Sequence, residues 1–341
     1  MRIEELRRLS LACLPTPLMK LQKLSRQLNG PELFIKRDDM TGLSFGGNKA
    51  RKLEFIMAEA VDKGANVIIT ASGLQSNWAQ MTAAAARKLG MRVILVLRTA
   101  QFGKAPEVYD GNLLLDSLLD AEIKVLKGNV LDAVQASDAM EELAEAEKMK
   151  GNVPYVAAIA GDTPTGTIGY VNAIQEVYDQ TERLNLNINH IVHATASGGT
   201  QAGLVLGTKY FRKEVNVLGV NVGLMDSDSL RNRTANLVNE TARLLDMNRS
   251  TSPNEISILD KYAGYAEYGV LTKEALDAIK LLAKTEGIFL DPVYTCKAMA
   301  GLIHLIREDY FDKEDKLIFL HTGGIAALFP YKEQLQGKTR S

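Results

Sequence analysis

Ser44-Phe45-Gly46-Gly47-Asn48-Lys49-Ala50-Arg51-Lys52-Leu53-Glu54-Phe55 is the most informative stretch of the chain. Two glycines allow a tight backbone, and Asn48 is a good helix N-cap, so a helix is expected to begin at or near Lys49. A helix N-terminus carries partial positive charge, and Arg51 and Lys52 add two cations. All three disfavour the ammonium form of Lys49 and push its pKa down. A lysine that attacks a carbonyl and forms a Schiff base needs that tendency towards the free amine. A solvated lysine at a helix start has the same local spacing, so the surroundings must decide.

Downstream, Leu53, Ile56, Met57, Ala60 and Val61 recur at helical spacing on one face. Short apolar runs then alternate with helical patterns. Val67–Thr70, Val93–Leu97, Ile123–Leu126, Val153–Ile159, His190–Val192, Val217–Val220 and Leu317–Leu320 read as buried strands, and Met81–Leu89 is an alanine-rich helix. The alternation predicts an α/β protein whose mostly parallel, twisted sheets are covered by helices. At 341 residues the chain fits two domains. Crossings near Gly46-Gly47 and Gly161–Gly166 divide it into a larger domain, residues 1–48 and 165–341, and a smaller one, residues 49–164, with an active site in the cleft between them.

Hydrophobic residues make up 46% and charged residues 24%, a globular profile, and a net charge of −1 offers no basic excess for nucleic acid or a membrane surface. Cys13 and Cys296 have no metal-ligand spacing, and the N-terminal fifteen residues make a poor signal peptide, so a cytoplasmic location is expected.

Two loops after strands invite anions. Thr195-Ala196-Ser197-Gly198-Gly199-Thr200 precedes an apolar helix; its glycines let N–H groups converge on a phosphate, although an ordinary β–α turn uses the same residues. Ser72-Gly73-Leu74-Gln75-Ser76-Asn77 precedes the alanine-rich helix and suits a carboxylate, and Ser76 or Asn77 also suits simple capping.

With Thr16-Pro17-Leu18, Phe34–Asp39, Gly166–Tyr170, Asp291-Pro292-Val293-Tyr294 and His321-Thr322-Gly323-Gly324, these segments run in unbroken order from about residue 14 to about residue 330. Together they resemble the D-cysteine desulfhydrase and 1-aminocyclopropane-1-carboxylate deaminase family, enzymes of the tryptophan-synthase β-like fold that use pyridoxal 5′-phosphate. The resemblance implies that Lys49 carries the cofactor as a Schiff base. Ser197, Gly198, Gly199 and Thr200 would hold its phosphate, Asn77 its ring hydroxyl and Thr322 its ring nitrogen. Gln75, Ser76, Asn77 and Trp78 would line the substrate side, with Ser76, Tyr294 and Tyr268 joining Lys49 in catalysis.

Trp78 departs from the pattern, in which desulfhydrases place His and deaminases Gln after the Asn; facing the cofactor, it would narrow the pocket. Thr295 follows Tyr294 where the deaminases carry Glu, which argues against opening a cyclopropane ring. D-Cysteine is the expected substrate, cleaved by α,β-elimination to pyruvate, hydrogen sulfide and ammonia. The rivals are another small amino acid (1-aminocyclopropane-1-carboxylate, cysteate or a different D-amino acid) and a cofactor-binding protein with little turnover. The family also implies a homodimer. A nucleotide-binding Rossmann protein is disfavoured because no G-x-G-x-x-G follows the first strand.

Overall fold

Continuous apolar runs make the central strands of two sheets. The computed structural model describes residues 3–98, 106–126, 133–223, 225–260, 262, 265 and 268–337. In chain order its strands are β1 (Leu18–Lys20), β2 (Glu32–Lys36), β3 (Val67–Gly73), β4 (Arg92–Arg98), β5 (Glu122–Leu126), β6 (Pro154–Val156), β7 (His190–Thr195), β8 (Asn216–Asn221), β9 (Ser257–Leu259) and β10 (Lys316–Leu320). Among the described residues, one sheet has the order β1-β2-β10-β7-β8-β9 and the other β5-β4-β3-β6. All pairings are parallel except β1 with β2.

The helices are α1 (Gln22–Leu28), α2 (Lys49–Asp62), α3 (Asn77–Lys88), α4 (Gly111–Leu118), α5 (Ala133–Met149), α6 (Pro164–Arg183), α7 (Gly199–Tyr210), α8 (Ser227–Leu244), α9 (Lys273–Glu286), α10 (Thr295–Arg307) and α11 (Lys332–Leu335). Parallel strands buried on both faces explain the unbroken Val, Ile and Leu runs of β3, β4 and β10. None of the described helices is long and apolar enough to cross a membrane.

The α/β class and the parallel sheets agree with the sequence reading. Three strands escaped it. β1 and β9 span three residues each, and β2 places its three-residue apolar core between Glu32 and Lys36. β6 is shorter than the expected 153–159, because the chain leaves the sheet and turns through a 3-10 segment at Ile159–Gly161.

Helix α2 lies between the two sheets. Its Phe55 joins the core under the six-stranded sheet, while Leu53, Ile56 and Met57 join the core that includes α3 and β4. A buried ionic cluster fixes its first turn. The Arg51 guanidinium makes a fork with both oxygens of Asp38, each at 2.8 Å, and contacts both oxygens of Glu176 on α6 at 2.9 and 2.8 Å. Tyr170 donates to Asp38 Oδ2 (2.6 Å), and Lys36 Nζ reaches Glu176 Oε1 (2.5 Å). Bidentate Arg–carboxylate pairs add directional specificity to charge, so the cluster sets the position of α2 relative to β2 and α6.

Asp116 on α4 has the opposite environment. It is fully buried, and neither carboxyl oxygen has a hydrogen-bond partner among the described residues. Burial pushes this carboxyl up to about 8. The folded state therefore holds a proton that the unfolded chain releases near its ordinary pKa, and stability falls as pH rises from about 4 towards 8. Asn at this position does not titrate. The melting temperature of Asp116→Asn relative to wild type is therefore expected to rise between pH 5 and pH 9, by about 3 °C or more, in thermal unfolding at the two pH values.

Candidate active site

Loops at the C-terminal ends of β7 and β10 meet the start of α2, the usual place for a ligand in open α/β sheets, and Met81 of α3, the helix after β3, packs against Gly47. The meeting is direct. Gly47 bridges Gly323 in antiparallel fashion, and Asn48 N donates to Thr322 O at 2.9 Å. A Cβ on Gly323, at φ +90°, would lie 2.6 Å from Gly47 Cα, so the close approach requires glycine.

Asn48 does not cap α2, contrary to expectation. Its backbone is already helical, and its side-chain amide donates instead to Thr200 Oγ1 at 3.1 Å, tying the start of α2 to the loop before α7.

Lys49 is the first residue of α2 and half-buried, and its Nζ donates to Ala160 O at 3.3 Å. Burial lowers its pKa most and the Lys52 charge next, against partial opposition from Asp162, and the amine is pushed down to about 7. Arg51 does not contribute as expected, since its charge is spent on Asp38 and Glu176. Lys52 pairs with Asp162 at 2.6 Å and shares the Ala160 carbonyl with Lys49 at 3.2 Å. Burial alone would raise the Asp162 carboxyl, but Lys52 and Lys49 outweigh it and hold the group below its usual range.

In the loop before α7, Gly198 is left-handed, at φ +92°, a conformation that favours glycine. A Cβ on Gly199 would collide with the Asp162 carboxylate and lie 2.5 Å from Lys52 Nζ, so Lys52 stands beside this loop. Ser197 and Thr200 flank the glycines, and Arg233 Nε from α8 donates to Ser197 O at 2.9 Å. Thr195 and Thr234 have buried hydroxyls without a partner among the described residues, and Gly198 lies against the latter.

Ser76 caps α3 by accepting from Trp78 N at 3.1 Å and Ala79 N at 3.3 Å, and Ser72 Oγ lies 2.5 Å from it. Asn77 opens α3, with its Nδ2 beside Gly324 and Asp291. Tyr268 and Tyr294 pair through their hydroxyls at 2.6 Å. Burial keeps both phenols above their ordinary range, so both are protonated near neutral pH. Asp291 builds the turn that presents Tyr294, accepting from the N–H groups of Val293, Tyr294 and Thr295 and from Thr295 Oγ1. Thr322 is buried in the loop after β10.

Two expectations are corrected. Trp78 does not line the cleft. It is 2% exposed, its Nε1 donates to Thr70 Oγ1 at 2.8 Å, and a Cβ on Gly161 would lie 2.8 Å from its ring. It supports from behind the turn that offers Ala160 O to Lys49. Gln75 spends both ends of its amide on α4, donating to Asp110 O at 2.9 Å and accepting from Asn112 N at 2.9 Å, and so is not free to bind substrate. Sequence reading missed Asp162, Asn112 and Arg233 as neighbours of the site. Each reaches it from a distant segment, and none carries a local motif.

The family model described as "Pyridoxal-phosphate dependent enzyme" matches residues 9–323. A protein of Pyrococcus abyssi named "Putative 1-aminocyclopropane-1-carboxylate deaminase" is 38% identical over 328 residues, covering 96% of this chain and 94% of that protein. One of the same name from Pyrococcus horikoshii is 40% identical over 320 residues, covering 94% and 92%. A crystal structure described as an ACC deaminase homologue superposes with a TM-score of 0.88 at 38% identity, covering 99% of this chain and 98% of that one. A threonine deaminase from Solanum lycopersicum shares the fold, with a TM-score of 0.67 at 16% identity, covering 96% and 84%.

The residues present fit pyridoxal phosphate. A primary amine of lowered basicity suits the aldehyde, and a glycine loop at the N-terminus of α7, with hydroxyls on either side and Lys52 beside it, suits the phosphate.

Replacing Trp78 by His is expected to destabilise the protein by about 3 kcal/mol through loss of buried packing, while leaving relative rates on different amino acids unchanged; denaturant titration and a substrate panel check both parts. Lys52→Met removes one charge beside Lys49 and leaves Asp162 unpaired, and both changes raise the Lys49 pKa. The pH midpoint for attachment of the cofactor to apoprotein should move above about 7, read from stopped-flow absorbance.

Proposed function

The chain belongs to the pyridoxal-phosphate dependent enzymes and is of their elimination and deamination type, and from that membership we propose that it cleaves D-cysteine to pyruvate, hydrogen sulfide and ammonia. Pyridoxal phosphate is its cofactor, and when bound it supplies the electron sink that stabilises negative charge at the substrate Cα.

The observation that carries the reading is the Lys49 amine, which shares Ala160 O with Lys52 beside the α7 loop and has its basicity brought down to about 7. An amine of that pKa is a nucleophile when free and a proton carrier near neutral pH. Lys49 would hold the cofactor through its aldehyde, and its Nζ, when free, would carry the proton at the substrate Cα. The α7 loop and its helix dipole hold the phosphate, with Ser197 and Thr200 adding hydroxyl donors. The N-terminus of α3, with Ser76, receives the substrate carboxylate. Asn77 would face the ring oxygen and Thr322 the ring nitrogen, where a neutral hydroxyl would not enforce protonation. The protonated Tyr268–Tyr294 pair offers the leaving thiolate a proton. Residues 49–164 and the remainder form two domains with the site between them, and the protein works as a homodimer.

Thr295 supports the choice of D-cysteine over a cyclopropane substrate. Its hydroxyl is buried and committed to Asp291 at 2.7 Å, so the position after Tyr294 offers no further acid or base to open a ring. The names of the relatives favour 1-aminocyclopropane-1-carboxylate as the second reading.

Purified holoenzyme assayed with D-cysteine, L-cysteine, cysteate and 1-aminocyclopropane-1-carboxylate, with 2-oxo acid and sulfide both measured, separates these readings. D-Cysteine should give equal amounts of pyruvate and sulfide at the highest kcat/KM. Ser76→Ala should lower kcat/KM by about a hundredfold while changing cofactor affinity little. Higher kcat/KM on the cyclopropane substrate would transfer the assignment to the second reading.

A further inference from the structure

Among the described residues helix α4 shares no hydrogen bond with Lys49, yet its first turn hydrogen-bonds the amide of Asn77. Asn112 is 1% exposed and is the second residue of the helix that Asp110 caps. Its Nδ2 donates to two oxygens, Gln75 O at 3.1 Å and Asn77 Oδ1 at 2.8 Å.

The polarity of these amides follows from main-chain groups whose chemistry is fixed. The Gln75 carbonyl accepts only, so the Asn112 atom facing it is the nitrogen. The same nitrogen faces Asn77, which must therefore present its oxygen there. Gln75 is oriented in the same way: its Nε2 meets the accepting Asp110 carbonyl, and its Oε1 meets the donating Asn112 N–H. With Oδ1 taken by Asn112, the Asn77 Nδ2 points to the opposite side, beside Gly324 and Asp291, where no described residue accepts from it.

We infer that Asn112 is a positioning residue for the cofactor site. It locks the Asn77 amide in the one orientation that aims an N–H at the cofactor ring oxygen, with Gln75 clamping Asn112 in turn. The inference rests on the proposed contact between Asn77 and that ring oxygen. An unlocked amide rotates freely and offers the ring oxygen its own oxygen part of the time. A donor stabilises the oxyanion tautomer of the lysine-bound cofactor over the tautomer with hydrogen on the ring oxygen, and the two absorb at different wavelengths.

The test is the visible absorbance of holoenzyme for wild type, Asn77→Ala, Asn112→Ser, Asn112→Asp, and Asn112→Ser combined with Asn77→Ala, together with the rate of cofactor release. Asn77→Ala should shift the band ratio towards the ring-hydroxyl tautomer. Asn112→Ser should shift it the same way and speed release by about tenfold, the effect of one buried hydrogen bond. Asn112→Asp, equal in size but accepting only, should shift the ratio further, because it turns the Asn77 amide over. In the Asn77→Ala background Asn112→Ser should add nothing. A wild-type band ratio in both Asn112 variants, beside a shifted Asn77→Ala, overturns the relay and leaves the Asn77 contact standing. An unshifted Asn77→Ala spectrum removes that contact and the relay with it. An equal Asn112→Ser shift in both backgrounds also overturns the relay, since it shows that residue 112 acts without Asn77. Should Asn112→Asp fail to fold, the Asn112→Ser pair decides.

Discussion

Three cations within four residues, Lys49, Arg51 and Lys52, stand at the start of one helix, and the protein gives each a different fate. Arg51 is neutralised by Asp38 and Glu176, Lys52 pairs with Asp162, and among the described residues Lys49 hydrogen-bonds only a backbone carbonyl. Two of the charges serve to hold the helix in place, and the third amine is left with lowered basicity. Burial and the neighbouring ammonium bring the Lys49 amine down to about 7, where free base and cation coexist near neutral pH. Exchanging the anions would destroy the arrangement: a carboxylate at Lys49 would return it to an ordinary ammonium, and Arg51 without Asp38 would be a buried unpaired charge.

The remaining parts of the site are brought to that amine by topology. Parallel strands deliver their following loops to one edge of each sheet, and α2 lies between the sheets so that its N-terminus meets those loops. The Gly47–Gly323 bridge and the Asn48–Thr200 hydrogen bond join the helix start to two of them. Asp162 faces Lys52, with Lys49 close by, and Trp78 supports the turn that carries the carbonyl they share. A residue expected to shape the pocket thus acts one layer behind it.

The class of fold and the identity of the central lysine were legible because both are written locally. Buried parallel strands produce continuous apolar runs, and a glycine pair followed by an amide and a lysine marks a helix start. What escaped depends on contacts between distant segments. β2 is hidden by the charges at its ends, one of which, Lys36, is buried only because Glu176 and Gln180 arrive from α6. Asn48 has the composition of a cap but is drawn to Thr200, 152 positions away. Gln75 in the expected loop and Trp78 on α3 both have their side chains committed to distant or buried partners. Asn112 has no motif at all, and its role follows only from the amides it touches.

The role of Lys49 is open to direct chemical proof. Borohydride reduction of the holoenzyme, followed by proteolysis and mass spectrometry, locates the side chain that carries the pyridoxyl group. The expected result is a single label, on the peptide containing Lys49. A label on Lys52 or any other amine, or no label at all, would contradict the assignment and the chemistry built on it.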